Sequence, residues 1–451
     1  MEIQFLGAAR TVTGSKYLLT GERGSVLVDC GLFQGLKDLR RRNWQPLPLD
    51  PARLDAVVLT HAHLDHSGYL PLLCKRGFEG DIYCTAATAD LCGILLPDSG
   101  YLQEEEARYA NLRGYSRHHP ALPLYTQADA ERCLNQLVPV PWGAQIDLGG
   151  FQCAFSPVGH ILGAASVRLS DERRSITFTG DVGRANDPVM RAPQPLGQTD
   201  YLVVESTYGD RRHSDEDPAT VISGLVNDVA ARGGVMIVPT FAVGRAQILL
   251  YVLSQLKAAG RIPDLPIYID SPMAIDATEL FLAHADEHKL DGRACRQMCE
   301  SAQYVRTAEE SKALGRRHGP MVIISASGMA SGGRVLHHLE TFGGHHRNMV
   351  LFTGFQAAGT RGEAMVNGAD AVKLHGRVVP IRAEVRQINS LSAHADHVEM
   401  IDWLRQMPEP PRRTFVTHGE SHAATTFAGF LESELGWTVN VPGQDEKFNL
   451  K

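Results

Sequence analysis

The run His61-Ala62-His63-Leu64-Asp65-His66 puts three histidines and an aspartate into six positions, directly after the apolar stretch Ala56-Val57-Val58-Leu59. Imidazole nitrogen and carboxylate oxygen together suit a borderline divalent cation, zinc before manganese or iron. Two histidines at i and i+2 on a loop turn both rings toward one ion. Asp65 and His66, further along, are placed to face a second ion beside it. Two protein ligands do not complete either ion, so the rest must come from elsewhere in the chain. One repeated device offers them: a strand-like run that ends in a ligand-type residue at a turn. His160 ends "FSPVGH", Asp181 ends "ITFTGD" and His418 ends "TFVTH". Alone, each reads as a turn residue; beside the six-residue cluster they read as ligands. The pairs His118-His119, His337-His338 and His345-His346 lack that strand-end setting and are read as solvated, as is His422.

Such a set needs elements that end at one place. The first fifth of the chain reads as short strands and tight turns, with "EIQFLG", "SKYLLT" and "SVLVDCG" broken by glycine. "DAVVLT" is a short, nearly continuous apolar run, which suits a strand buried on both faces. Residues 98–135 read as helical with mixed charge, and strand signals return at "FQCAFSPVGH", "RSITFTGDVG" and "DYLVVESTYG". From about residue 215 the texture changes to alternating strands and helices: "GVMIVPTFAVG" precedes "AQILLYVLSQLKAAG", and "MVIISASGMA" precedes "GGRVLHHLETFGG". That alternation predicts β–α–β units and a mostly parallel sheet. The last ~65 residues return to strand-then-motif segments, "EVRQINSLSAHAD" and "RTFVTHGESH".

"THAHLDHSG" resembles the HxHxDH signature of the metallo-β-lactamase superfamily, and Asp29 in "LVDCG" resembles its first strand-end aspartate. "ESTYGDR", "SAHAD" and "VTHGE" resemble three further motifs that mark the β-CASP branch, which includes RNA-cleaving enzymes. The resemblance runs over essentially the whole chain, in the family's order. It implies an α/β fold, a metallo-β-lactamase αββα sandwich with an inserted parallel-sheet β-CASP domain. The expected divisions are 1–208 and 386–451 for the sandwich and 209–385 for the insert. It implies two zinc ions per chain, one held by His61, His63 and His160, the other by Asp65, His66 and His418, with Asp181 bridging. Asp29 would then hold the histidine loop, a position that a plain strand-end cap also explains. Two such ions, about 3.5–4 Å apart, suit in-line displacement at a phosphodiester. The resemblance counts Asp65 among the catalytic residues and makes His394 the acid for the leaving oxygen, with Glu205 orienting it. His418 leans the substrate toward RNA, because DNA-acting members of the family generally have an apolar residue there.

Anion handling has weaker signals. "SASGMASGGR" offers Ser327, Gly328 and Arg334 as a phosphate-cradling turn before a helix, and "PTFAVGRAQ" offers Arg245; a plain tight connection explains each equally well. Tyr208 either stacks on a base or simply packs.

Bulk properties fit this picture. A chain of 451 residues exceeds the usual single domain, and 43% hydrophobic with 21% charged residues is an ordinary globular balance. The formal net charge of −7 argues against a wholly basic nucleic-acid coat, though not against a basic cleft. The N-terminal "MEIQFLGAAR" does not read as a secretion signal, and no apolar run of ~18 residues predicts a membrane span. Eight cysteines without a CxxC pair suit a reduced, cytoplasmic setting. The expected function is a zinc-dependent ribonuclease acting on single-stranded RNA and leaving 5′-phosphate and 3′-hydroxyl ends. Internal cutting is preferred to trimming from the 5′ end, because the larger exonucleolytic relatives carry a further domain. Family members often pair, so a homodimer is expected. The alternatives are a small phosphodiesterase or thioesterase, which would need no second domain to clamp its substrate, and an inactive RNA-binding subunit, which would have lost ligands.

Overall fold

The computed structural model describes residues 1–114, 116, 118–354, 356–357 and 359–451. Tyr115 and Arg117, within the expected helical stretch, and Phe355, within "NMVLFTGF", lie outside the described residues. The chain divides into two compact units, one of residues 1–186, 191–212 and 394–451, the other of residues 187–190 and 213–393. The crossings fall at 212/213 and 393/394, later than the expected 208 and 385. Hydrogen bonding explains the second shift: Glu384–Gln387 pairs in parallel with Met349–Phe352, so it belongs to the inserted sheet.

The first unit contains two seven-stranded sheets. One runs, in spatial order, Lys447–Asn449, Glu2–Phe5, Tyr17–Thr20, Ser25–Val28, Ala56–Val58, Asp81–Cys84 and Leu137–Pro139. The other runs Val439–Asn440, Arg413–Thr417, Tyr201–Glu205, Ser175–Phe178, Ala165–Ser170, Gln152–Pro157 and Gln145–Asp147. One buried core joins them, with Ile3, Phe5, Val26 and Val58 from the first and Phe155, Val167, Phe178, Val203 and Phe415 from the second. The rings of Phe5 and Phe415 stand 5.2 Å apart across that layer. Strands whose both faces are covered need uninterrupted apolar runs, and Ala56–Val58 and Tyr201–Glu205 are buried throughout. The helix Ser421–Leu435 packs on the strand Arg413–Thr417, and the long helix Ala86–Arg113 packs on Gln127–Leu134 and Leu137–Pro139. The layers are therefore helix, sheet, sheet, helix.

The second unit is built around a six-stranded sheet in the order Gln303–Tyr304, Ile267–Ile269, Met321–Ser325, Val235–Pro239, Met349–Phe352 and Glu384–Gln387. Every neighbouring pair is parallel, as the alternation of strands and helices requires. Its helices start where the sequence carries caps: Asp217 accepts from Ala219 and Thr220 ahead of Pro218–Ala231, and Ser271 accepts from Ala274 ahead of Pro272–Ala283. A separate core, including Ile237, Ile323, Val335, Leu339, Val350 and Phe352, holds this unit. Among the described residues, no helix is long and apolar enough to cross a membrane.

Candidate metal centre

Six strands of the first unit end at the same place, each delivering one functional side chain just past or at its last residue. Asp29 follows Ser25–Val28, His61 follows Ala56–Val58, and His160 follows Gln152–Pro157. Asp181 follows Ser175–Phe178, Glu205 closes Tyr201–Glu205, and His418 follows Arg413–Thr417. Asp29 and His418 both have positive φ, 57° and 49°. Left-handed backbone is uncommon outside glycine, and aspartate and histidine are among the side chains that tolerate it, so both strands can turn sharply at these residues.

The loop bearing His61 to His66 is sewn to its neighbours by main-chain bonds. Ser15 N donates to Asp65 O at 2.8 Å, Cys30 N to His66 O at 2.7 Å, and Leu32 N to Leu64 O at 2.8 Å. A Cβ on Gly31 would lie 1.6 Å from Asp65 O, so only glycine permits this approach. Asp29 fastens the same loop through its side chain. Its carboxylate accepts from Thr60 N at 2.8 Å and from the Thr60 hydroxyl at 2.9 Å, and it meets His66 Nδ1 at 2.7 Å. With Nδ1 committed, the lone pair of His66 is left on Nε2, directed at the cluster. The Thr207 hydroxyl, 3.1 Å from His418 Nδ1, fixes that ring in the same way. Thr207 escaped the sequence reading, although it lies inside "ESTYGDR".

Two groups of potential ligand atoms result, those of His61, His63, His160 and Asp181, and those of Asp65, His66 and His418; within each group all lie within 4.8 Å of one another. Asp181 reaches both groups. Its Oδ2 lies 3.5 Å from His61 Nε2 and 3.5 Å from His160 Nε2, and its Oδ1 lies 3.3 Å from His66 Nε2.

The electrostatics are those of a site made for cations. Ring nitrogens face one another at 3.2 Å between His61 and His63, 3.2 Å between His160 and His63, and 3.1 Å between His66 and His418. Facing imidazole lone pairs repel unless a shared positive charge stands between them. Burial pushes His61 well below its ordinary pKa and His63 down to about 4. Burial acts in the same direction on His66 and His418, yet carboxylates together outweigh it, Asp181 with Asp29 at His66 and Asp181 with Asp65 at His418, and hold both above the usual imidazole value. Burial favours a neutral Asp181, but His418, His66 and His61 hold its carboxyl well below the usual range. A centre with this much neutral donor and anionic charge fits divalent ions, which satisfy all seven groups at once.

His394 stands at the edge of this cluster. Its Nδ1 is 3.2 Å from each oxygen of Glu205 and 4.0 Å from Asp181 Oδ2. The Glu205 carboxylate is itself pinned by Val182 N at 2.6 Å and Thr207 N at 3.2 Å. Ala395 N donates to Val182 O at 2.8 Å, which ties the His394 loop beside Asp181. The His394 side chain keeps 17% exposure while Asp181 keeps 3%, so the histidine is the more open of the two.

Tyr208 lies beside His394, ring centroids 6.0 Å apart, but is 3% exposed. The ring packs within the protein, in line with the second of its two readings. Ser327, Gly328, Arg334 and Arg245 lie in the other unit. Arg334 donates to Asp270 Oδ1 at 2.7 Å and to the carbonyls of Val305 and Arg306 at 3.0 and 2.7 Å. Arg245 is buried, donates to Thr353 O and stands over the Phe241 ring. Both guanidiniums brace the fold through these contacts. A Cβ on Gly328 would meet Phe241 Cδ2 at 2.9 Å, and the Ser327 hydroxyl accepts from Ser331 N at 3.3 Å, as in a tight connection. His338 is a further correction: it is 2% exposed and bonded to Asp270 Oδ2 at 2.6 Å, not solvated.

The chain matches three family descriptions: "Metallo-beta-lactamase superfamily" over residues 10–217, "Beta-Casp domain" over 246–365, and "Zn-dependent metallo-hydrolase RNA specificity domain" over 378–442. It is 37% identical over 428 residues to ribonuclease TTHA0252 of Thermus thermophilus, covering 93% of each chain. It is 28% identical over 473 residues to the transcription termination factor FttA of Methanocaldococcus jannaschii, covering 100% of this chain and 72% of that one. An RNase J-like protein of the same archaeon is 28% identical over 447 residues, covering 98% and 97%. A solved Enterococcus faecalis protein of unknown function shares the fold at a TM-score of 0.58 and 12% identity, over 100% of this chain and 99% of that one. With the sandwich, the inserted parallel sheet and the ordered motifs in place, the chain belongs to the β-CASP ribonuclease family of the metallo-β-lactamase superfamily.

Proposed function

We propose that this chain is a zinc-dependent ribonuclease that cuts single-stranded RNA internally and leaves 5′-phosphate and 3′-hydroxyl ends. The observation that carries the reading is the convergence of His61, His63, Asp65, His66, His160, Asp181 and His418, with His394 at the rim. His61, His63 and His160 would hold one zinc ion, Asp65, His66 and His418 the other, and Asp181 both. When bound, such a pair supplies Lewis-acid charge that offsets the anionic transition state of phosphodiester hydrolysis.

The chain's own groups do the rest. Glu205 takes the Nδ1–H of His394 and so aims Nε2 as the atom that would hand a proton to the departing 3′-oxygen. Water becomes bonded to phosphorus as the bond from phosphorus to that oxygen breaks, which fixes the product ends. Asp65 closes the centre on the side of His418, 3.4 Å from its Nε2. RNA is favoured by His418 at the strand end and by the relatives named ribonuclease. The tight turn at Ser327 and Gly328 is retained as a candidate contact for the RNA backbone. The same reading makes the enzyme cytoplasmic and a homodimer, which light scattering would weigh at twice the 49.3 kDa of one chain.

A circular single-stranded RNA tests the reading, because it has no end to enter. The expected result is opening to a linear product with a 5′-phosphate, lost after zinc is chelated and regained when it is restored. An intact circle, with linear RNA still degraded, would show an enzyme working from ends. Hydrolysis of thioesters with neither RNA touched would favour the small-substrate alternative.

A further inference from the structure

We propose a separate divalent-metal site on the inserted unit, formed by His337, Glu340 and His375, for a borderline ion such as zinc. His337 and Glu340 stand three residues apart on the helix Val335–Phe342, and so share a face. His375 comes from the two-residue turn joining Ala371–Leu374 to Arg377–Pro380. One potential ligand atom from each of the three residues lies within 4.8 Å of the others. The rings of His337 and His375 stack at 4.5 Å between centroids with 20° between planes.

The turn itself is informative. His375 and Gly376 have φ of 46° and 83°, the two positive values of a type I′ hairpin. Asparagine, aspartate and glycine are the usual residues at the first of these positions, and histidine is among the side chains that tolerate it. The turn thereby holds the His375 imidazole beside His337. Two imidazoles and a carboxylate suit zinc, nickel or copper, with open positions left for water. Burial, and after it the neighbouring His375, already hold His337 below its ordinary pKa, which favours the neutral ring that ligates. Leu374, next to the turn, belongs to the same core as Val335 and Leu339. An ion at this place would clip the hairpin to the helix, outside the core that already joins them.

The test uses the full chain, zinc as the probe, and diethyl pyrocarbonate modification of imidazoles mapped by peptide mass. His375→Asn removes the ligand but gives the turn a residue it favours, so this variant folds. Zinc is expected to slow modification of His337 and His375 several-fold in the unsubstituted protein. In His375→Asn the protection of His337 should disappear, bound zinc should fall by one ion per chain, and RNA cleavage should stay unchanged. His337→Gln should lose the same ion. Equal modification of His337 with and without zinc, or an undiminished zinc content in His375→Asn, would overturn the site.

Discussion

His394 and Asp181 carry different burdens, and single substitutions separate them. His394 touches Glu205 through Nδ1 at 3.2 Å and keeps part of its surface open. Removing a general acid typically lowers turnover by about 10²–10⁴-fold. His394→Ala is therefore expected to cut kcat in that range while leaving zinc content, measured by mass spectrometry of the metal, at the unsubstituted level. A parallel loss of zinc would make His394 part of the scaffold. Asp181 is the residue shared by both groups, with one oxygen 3.5 Å from His61 and His160 and the other 3.3 Å from His66. Asp181→Ala should consequently empty both positions, whereas His418→Ala should empty chiefly the one it shares with Asp65. An Asp181→Ala protein that retains two zinc ions would remove the bridging role.

At the scale of elements, the site depends on how the segment Gly14 to Leu32 grips the histidine loop. Lys16 sits at its centre, 0% exposed, donating to Gly31 O and standing 4.7 Å from the ring centroids of both Phe33 and Tyr69. Burial pushes its ammonium down from 10.5 to about 8, against a smaller opposing effect of Cys30. Between those values the unfolded chain binds a proton that the folded chain has released, so this group makes stability rise with pH. Relative to Lys16→Met, the unsubstituted protein should gain about 2 kcal/mol between about pH 7.5 and about pH 9.5. Urea unfolding of both proteins at each pH checks this; a constant difference would mean that Lys16 keeps its ordinary pKa. Lys16 also shows where sequence reading stops. The strand ends at His160, Asp181 and His418 were legible because each candidate ligand closes its own apolar run. The partners of Lys16, Arg334 and His338 were not, since they are carbonyls, ring faces and an aspartate brought in by tertiary packing. His338 reads as solvated beside His337, and only the course of the helix shows that the two rings point to opposite environments.

At the scale of the whole chain, the proposed ligands and the proposed acid all belong to one unit although they span His61 to His418 in sequence. The insert carries its own parallel sheet and its own core, and the first unit closes around a different core. The flanks of the insertion are close: His397 Nδ1 lies 2.9 Å from Arg211 O, so the chain leaves and re-enters the sandwich at one spot. A short flexible linker in place of residues 213–393 spans such a gap at little entropic cost. The shortened protein is expected to fold, to bind zinc at the seven-ligand centre, and to hydrolyse a small activated phosphodiester such as bis(p-nitrophenyl) phosphate. Cleavage of RNA should fall by orders of magnitude, because a polyanionic strand is held by many contacts and a small ester by few. Full RNA cleavage by the shortened protein would deprive the insert of its substrate role. Loss of zinc with intact secondary structure would show instead that the insert helps to order the metal loops.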